Sequence, residues 1–191
     1  MSLRRVVFIV ALLNLAYFEV ELLVALRIGS VSLLADSADF FEDASVNFLI
    51  FFALAWSAKM RARVGMVLAL ILLVPAGAFA WTAWTKLANP VPPEAFALTV
   101  TGVGALAVNL FCAFLLAAHW HGRGSLTRAA FLSARNDAIA NIGIIGAGLV
   151  TAYVWPSIWP DLIVGFGIAA MNVDAAKAVW EAAREEHRAH S

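Results

Sequence analysis

Acidic residues occur in this sequence at positions whose neighbours are almost all apolar. A buried charge needs a partner of opposite charge, and only one basic residue, Arg135, lies as far inside an apolar stretch as these acids do. A purely structural network would pair acids with bases, so this excess of acids indicates a site that receives a cation. Glu19 and Glu21 are two residues apart and point in different directions. One of them is alternatively explained, without a cation, by contact with a polar neighbour or with the interface. The acids are Glu19, Glu21, Asp36, Asp39, Glu42, Asp43, Asp137 and Asp174.

The first group of these acids follows helical spacing. Asp39 and Asp43 are four residues apart and project from one face of a helix, and Asp36 and Asn47 extend that stripe. Two alternatives stay open within the group. The alternative for Asp36 is that it lies at the start of the helix, near the outer surface, and takes no part in a cation site. Glu42 points away from the stripe, and its alternative is a structural role.

A second stripe lies about 100 residues later in the chain. Ser133, Asp137 and Asn141 also follow each other at intervals of four. Asp39 lies about 12 Å, by helical rise, from one end of its helix, and Asp137 lies at a similar depth in a helix of opposite direction. Two such stripes facing each other would surround one divalent ion with three carboxylates and neutral oxygens.

The amino-acid composition limits the class of protein to which these residues belong. Of 191 residues, 63% are hydrophobic and 14% are charged, and thirteen Lys and Arg balance thirteen Asp and Glu. A soluble domain is closer to half apolar and a quarter charged. The composition therefore excludes an ordinary soluble enzyme, a disordered chain and a nucleic-acid binder that relies on bulk positive charge.

Six apolar stretches are long enough to cross a hydrocarbon core, which takes about 20 residues. They predict an all-α polytopic membrane protein, a bundle of six transmembrane helices with both termini in the cytoplasm. Residues 1–184 are expected to form this single domain, and residues 185–191 a short cytoplasmic tail. The predicted spans are Val6–Leu26, Val31–Trp56, Val64–Trp84, Pro93–Ala118, Ala129–Val154 and Asp161–Trp180.

The distribution of Lys and Arg gives the orientation, because these residues concentrate in cytoplasmic loops. With the N-terminus inside, Arg27 and Lys86 fall outside and Arg135 lies within the fifth span. All seven tryptophans lie at span ends, as expected for interfacial side chains. We expect an integral protein of a bacterial inner membrane. The inner basic residues are Arg4, Arg5, Lys59, Arg61, Arg63, Arg123, Arg128, Lys177, Arg184 and Arg188.

Two segments resemble signatures of the cation diffusion facilitator family of metal–proton antiporters, also described as cation efflux proteins. Gly29–Asp43, with the sequence GSVSLLADSADFFED, is similar to the family's second-helix signature. Leu126–Gly143, with the sequence LTRAAFLSARNDAIANIG, is similar to its fifth-helix signature, and Asn109 is also family-like. The resemblance covers essentially the whole chain as the transmembrane part of such a protein. The cytoplasmic C-terminal domain that usually follows is expected to be lacking.

The resemblance implies a tetrahedral metal site formed by two residues of the second helix and two of the fifth. Asp39, Asp43 and Asp137 match positions that ligate metal in the family. The fourth position departs from the pattern, since zinc-handling members typically place His, or sometimes Asp, where this chain has Ser133. Candidates for the fourth ligand are Ser133, Asn136, Asn141 or a water molecule, and candidate accessory residues are Asp36 and Asn47.

The donor types bear on which metal is carried. The histidines lie in an inner loop or the tail, so the intramembrane site is all oxygen. Oxygen donors suit harder ions such as Mn, Mg, Fe or Co, although zinc also accepts carboxylates. We expect no prosthetic group and a transported divalent ion drawn from Zn, Mn, Co and Fe. The histidines are His119, His121, His187 and His190.

The predicted function is export of a divalent metal cation in exchange for protons. Protonation of a carboxylate weakens metal binding, because a ligand must be deprotonated to bind. The expected partners are the lipid bilayer, metal ions, protons and a second copy of the chain, which would dimerise through membrane helices. No nucleic-acid partner is expected.

Two alternatives belong to other functional classes. One is a transport-inactive membrane subunit or metal-sensing relative of the family, consistent with the unusual Ser133. The other is a membrane-embedded enzyme. The sequence argues against the enzyme, because it has no Ser/His pair, no intramembrane His or Cys cluster and no glycine-rich phosphate loop.

Overall fold

The structure is a computed structural model that describes residues 3–52, 58–119 and 125–172. Within these ranges, side chains are described except at residues 3, 58, 59, 61–63, 65, 66, 68–70, 72, 73, 119 and 125–135. The described residues form six helices and contain no strand, in agreement with the predicted all-α class. The helices are α1 (Leu3–Ile28), α2 (Val31–Phe52), α3 (Ala58–Ala88), α4 (Ala95–His119), α5 (Ser125–Tyr153) and α6 (159–172).

The third helix differs most from its predicted span, which was Val64–Trp84. Helix α3 begins six residues earlier and ends four residues later, at Ala88. Polar residues at both ends continue the helix because Lys and Arg are good helix formers. The helix ends where Pro90 and its successors prevent continuation, since a residue before proline avoids the helical conformation.

The turn between α1 and α2 is defined by two residues of the second-helix signature. Gly29 has a φ of 64°, and the Ser30 N–H donates to the Ala25 carbonyl at 3.0 Å. This is the left-handed glycine ending of a helix, a conformation that favours glycine. Ser30 then caps α2, because its Oγ accepts from the Leu33 N–H at 3.2 Å. The turn makes α1 and α2 antiparallel neighbours.

Helices α1 and α2 pack along much of their length, and α1 also packs on α4, which in turn packs on α5. Helix α2 contacts α3 extensively and α5 over a shorter stretch. Apolar side chains from five of the helices meet in one core that surrounds the first half of α2. Its buried members are Ala25, Leu33, Leu34, Ala35, Leu98, Ala140, Ile144, Ala147 and Ile168.

The outer surface of the bundle carries many large apolar side chains. Helical segments Arg4–Ile28 and Ala95–Ala118 are long and apolar enough to cross a membrane by length and hydropathy. Trp81 and Trp84, near the end of α3, are 70% and 71% exposed, a placement that suits interfacial tryptophans. Trp56, Trp120 and Trp180 lie outside the described residues. Cys112 is free and buried against α1.

Candidate functional site

The stripe of polar residues predicted on the second helix lies on α2, which runs without a break through all four positions. Asp36 is buried, and Asp39 and Asp43 are partly buried. Asn47 is also buried, and its Nδ2 donates to the main-chain oxygen of Asp43 at 2.8 Å. Asp36 is therefore a buried residue, five positions after the first residue of the helix. Glu42 is exposed.

The second stripe lies on α5 and repeats the same arrangement. Asp137 is partly buried, and Asn141, one turn later, is fully buried. Asn141 Nδ2 donates to the main-chain oxygen of Asp137 at 2.6 Å, whereas Asn141 Oδ1 has no hydrogen-bond partner among the described residues. An amide oxygen in this position is free to act as a ligand to a cation. Asn136 is partly buried, and the side chain of Ser133 lies outside the described part of α5.

The two stripes face a common interior. Asp39 interacts electrostatically with Asp137 of α5 as well as with Asp36 and Asp43 of its own helix. Asp137 interacts with Asp43. The described side chains nevertheless contain no group of three His, Cys, Asp or Glu residues placed to hold one metal ion. The structure thus brings Asp39, Asp43 and Asp137 into electrostatic range of each other without forming a complete coordination shell.

Two acids in α1 have opposite environments. Glu19 is exposed, whereas Glu21 is fully buried against α2 and interacts with Asp36. The sequence suggested that these acids point in different directions, and the structure shows which of the two faces the interior.

A buried ion pair at the start of α2 was not predicted. Lys86 of α3 lies 2.7 Å, measured from Nζ to Oδ2, from Asp161 of α6. From the sequence, Lys86 is predicted to lie on the outer side of the membrane and Asp161 to begin the sixth span. Their pairing joins positions 75 residues apart, and neither position has a local sequence signal that indicates the other.

The Asp161 carboxylate also holds the start of α2. It accepts hydrogen bonds from the Val31 N–H at 2.8 Å and the Ser32 N–H at 3.1 Å. The hydroxyl groups of Ser30 and Ser32 donate to it at 2.7 and 2.6 Å. A carboxylate at a helix N-terminus is favoured by the unpaired N–H groups and by the helix dipole. This cluster fixes the first turn of α2, the helix that carries three of the candidate acids.

The family model described as the cation efflux transmembrane domain matches residues 7–185, which is nearly the whole chain. No curated protein sequence shows significant similarity to the chain. The matched region includes both stripes, the Glu21–Asp36 contact and the Lys86–Asp161 ion pair.

Proposed function

Because the chain belongs to the cation efflux family, whose members are membrane transporters of metal cations, we propose that it exports a divalent cation in exchange for protons. The family match confirms the resemblance predicted from the two signature segments, and with it a helical bundle that is integral to the membrane. In this proposal the cation binds between α2 and α5, at Asp39, Asp43 and Asp137.

The observation that carries this proposal is that α2 contacts α5 and brings Asp39 of the first stripe within electrostatic range of Asp137 of the second. The ion pair found among the described residues lies elsewhere, at Lys86 and Asp161. Among the described side chains no cation pairs with these carboxylates, an arrangement that favours a mobile cation. Asn141 supplies a buried amide oxygen on the α5 stripe that has no hydrogen-bond partner among the described residues, and it is the best-supported candidate for the fourth ligand.

Proton exchange follows from the chemistry of these donors. A carboxylate binds a metal ion only after it loses its proton, so binding releases protons and protonation releases the metal. A site that opens alternately to each side of the membrane would then couple the two flows. Oxygen donors favour Mn, Fe or Co and still allow Zn.

Metal flux into proteoliposomes under a defined pH gradient tests the proposal. Asp43→Asn and Asp137→Asn should each reduce Mn²⁺ flux at least tenfold, because each removes a charged ligand. Glu42→Gln is the matched control, since Glu42 adjoins Asp43 but is exposed. Normal flux in both Asn variants would refute the site assignment.

A second candidate function is a transport-inactive subunit or metal-sensing relative. The residue that favours it is Ser133, which stands where zinc-handling members carry a stronger ligand. Calorimetric titration with Mn²⁺, Co²⁺ and Zn²⁺ in detergent separates the candidates. An inactive subunit would bind none of them, a sensor would bind without flux, and a transporter would do both.

The arrangement of the chain in the membrane is also part of the proposal. Residues 1–184 would form one transmembrane domain of a bacterial inner-membrane protein, with both termini and the tail 185–191 in the cytoplasm. Two copies would associate through their membrane helices. Protease protection of epitope tags at each terminus in oriented vesicles, with cross-linking in the membrane, tests both points.

A further inference from the structure

The register between α1 and α2 places one acid of each helix opposite the other. Tyr17 stacks on Phe40 with ring centroids 5.0 Å apart. Since the helices are antiparallel, the residue four positions after Tyr17 faces the residue four positions before Phe40. These residues are Glu21 and Asp36, whose carboxyl groups are within hydrogen-bonding reach should one of them carry a proton.

Both acids are buried, and most of their carboxylate oxygens have no hydrogen-bond donor among the described residues. Glu21 is 0% exposed and Asp36 is 1% exposed. Neither carboxylate oxygen of Glu21, nor Oδ2 of Asp36, has a hydrogen-bond partner among the described residues. Buried polar groups are nearly always partnered, and two facing carboxylates are especially unfavourable without a positive charge. A ligand that brings positive charge would satisfy both groups.

A third oxygen lies within electrostatic range of this pair. The Tyr17 hydroxyl interacts with both Glu21 and Asp36, and it donates its own proton to the Thr101 carbonyl at 2.6 Å. Because that proton is engaged, the lone pairs of the phenol oxygen can face a cation. Two carboxylates, one phenol oxygen and water form a donor set that a hard divalent ion accepts.

We propose that Glu21 and Asp36 form a second binding site for the divalent cation, between α1 and α2, with Tyr17 as a neutral donor. This inference rests on the proposed transport function and extends it to α1. Asp36 and Asp39 are three residues apart, so the two sites are about 5 Å apart along α2. With the proposed topology the second site lies on the outer side of Asp39, where an ion leaving the first site would pass.

Two adjacent sites would help an exporter to release its ion. An ion that binds tightly at a single site is released slowly. A neighbouring site speeds its release, because new ligands replace the first ones as the ion moves. Repulsion between ions in neighbouring sites also weakens the binding of each. Loss of the second site should therefore reduce flux while the first site keeps its ion.

The stoichiometry of Mn²⁺ binding to the full chain in detergent tests this inference. We expect two Mn²⁺ ions per wild-type chain, one in Glu21→Gln, one in Asp137→Asn and none in the double variant. Glu19→Gln is the matched control, because Glu19 lies two residues away on the same helix and is exposed. It should bind two ions. Mn²⁺ flux in proteoliposomes should fall at least tenfold in Glu21→Gln and stay normal in Glu19→Gln.

The outcomes separate this inference from the proposed function. Two ions bound in Glu21→Gln, as in Glu19→Gln, would overturn the second site while leaving the first intact. Unchanged binding and flux in Asp137→Asn, with both lost in Glu21→Gln, would overturn the first site instead. Thermal unfolding without metal checks folding, and Glu21→Gln should be at least as stable as wild type because it removes one of two facing acids. Glu21→Asp, which keeps the charge, should retain the second ion.

Discussion

Asn141 donates from Nδ2 to the main-chain oxygen of Asp137, one turn earlier in α5, at 2.6 Å. In α2, Asn47 makes the same contact to Asp43 at 2.8 Å. In each helix an asparagine therefore uses its amide nitrogen on its own backbone, a bond that fixes the orientation of the side chain. The fixed Asn141 leaves Oδ1 buried and without a partner among the described residues, next to an acid proposed to bind metal.

Asn141→Leu should weaken Mn²⁺ binding about tenfold, or about 1.4 kcal/mol, because it removes one neutral oxygen donor. Stability should change little, since the Asp137 carbonyl lies within a helix and Leu fills a similar volume. Calorimetric titration measures the affinity and thermal unfolding measures the stability. Equal Mn²⁺ affinity in Asn141→Leu and wild type would exclude Asn141 as a ligand.

Ser133→His should move the metal preference toward Zn²⁺, because imidazole is a better donor for zinc than for manganese. Competition between Zn²⁺ and Mn²⁺, measured as a ratio of dissociation constants, should shift at least tenfold. Ser133→Ala controls for loss of the hydroxyl group and should leave the ratio near that of wild type. An unchanged ratio in Ser133→His would show that position 133 does not belong to the site.

The helices could be predicted from the sequence because long apolar stretches and the polar loops between them are local signals. The Gly29–Ser30 turn is local as well, and its two residues begin the recognised signature. The true ends of α3 were missed, since polar residues that suggest a loop also extend helices readily.

Contacts between distant parts of the chain could not be predicted from local sequence signals. The Lys86–Asp161 pair depends on how α3, α6 and the start of α2 come together. The inward orientation of Glu21 depends on the register of α1 on α2, which the Tyr17–Phe40 contact sets. Periodicity gives the face of one helix, whereas register between helices requires their packed arrangement.

Lys86→Met should destabilise the folded protein by about 3 kcal/mol, because it leaves the buried Asp161 carboxylate without its cation. Thermal unfolding in detergent should show a clear fall in Tm. The double variant Lys86→Met/Asp161→Asn should recover part of that loss, since neither charge then stays buried alone. Additive losses in the double variant would show that the two side chains do not act as a pair.

Gly165→Ala should separate α6 from the start of α2. A Cβ at position 165 would lie 2.9 Å from the Ser32 main-chain nitrogen, which cannot move aside as a side chain could. We expect destabilisation of about 1–3 kcal/mol, the usual cost of overpacking. Gly167→Ala is the matched control, because a Cβ there meets nothing within 4 Å and alanine favours a helix. Equal stability of the two variants would contradict this packing.

Mn²⁺ affinity should fall as the pH is lowered, since each carboxylate ligand must lose its proton before it binds. Binding at fixed pH should accordingly release protons, which appears in calorimetry as a dependence of the heat on the ionisation enthalpy of the buffer. Asp137→Asn should release fewer protons than wild type, and Glu42→Gln should match wild type because its side chain is exposed. An affinity that does not change with pH would rule out competition between metal and protons at these carboxylates, and with it the proposed exchange.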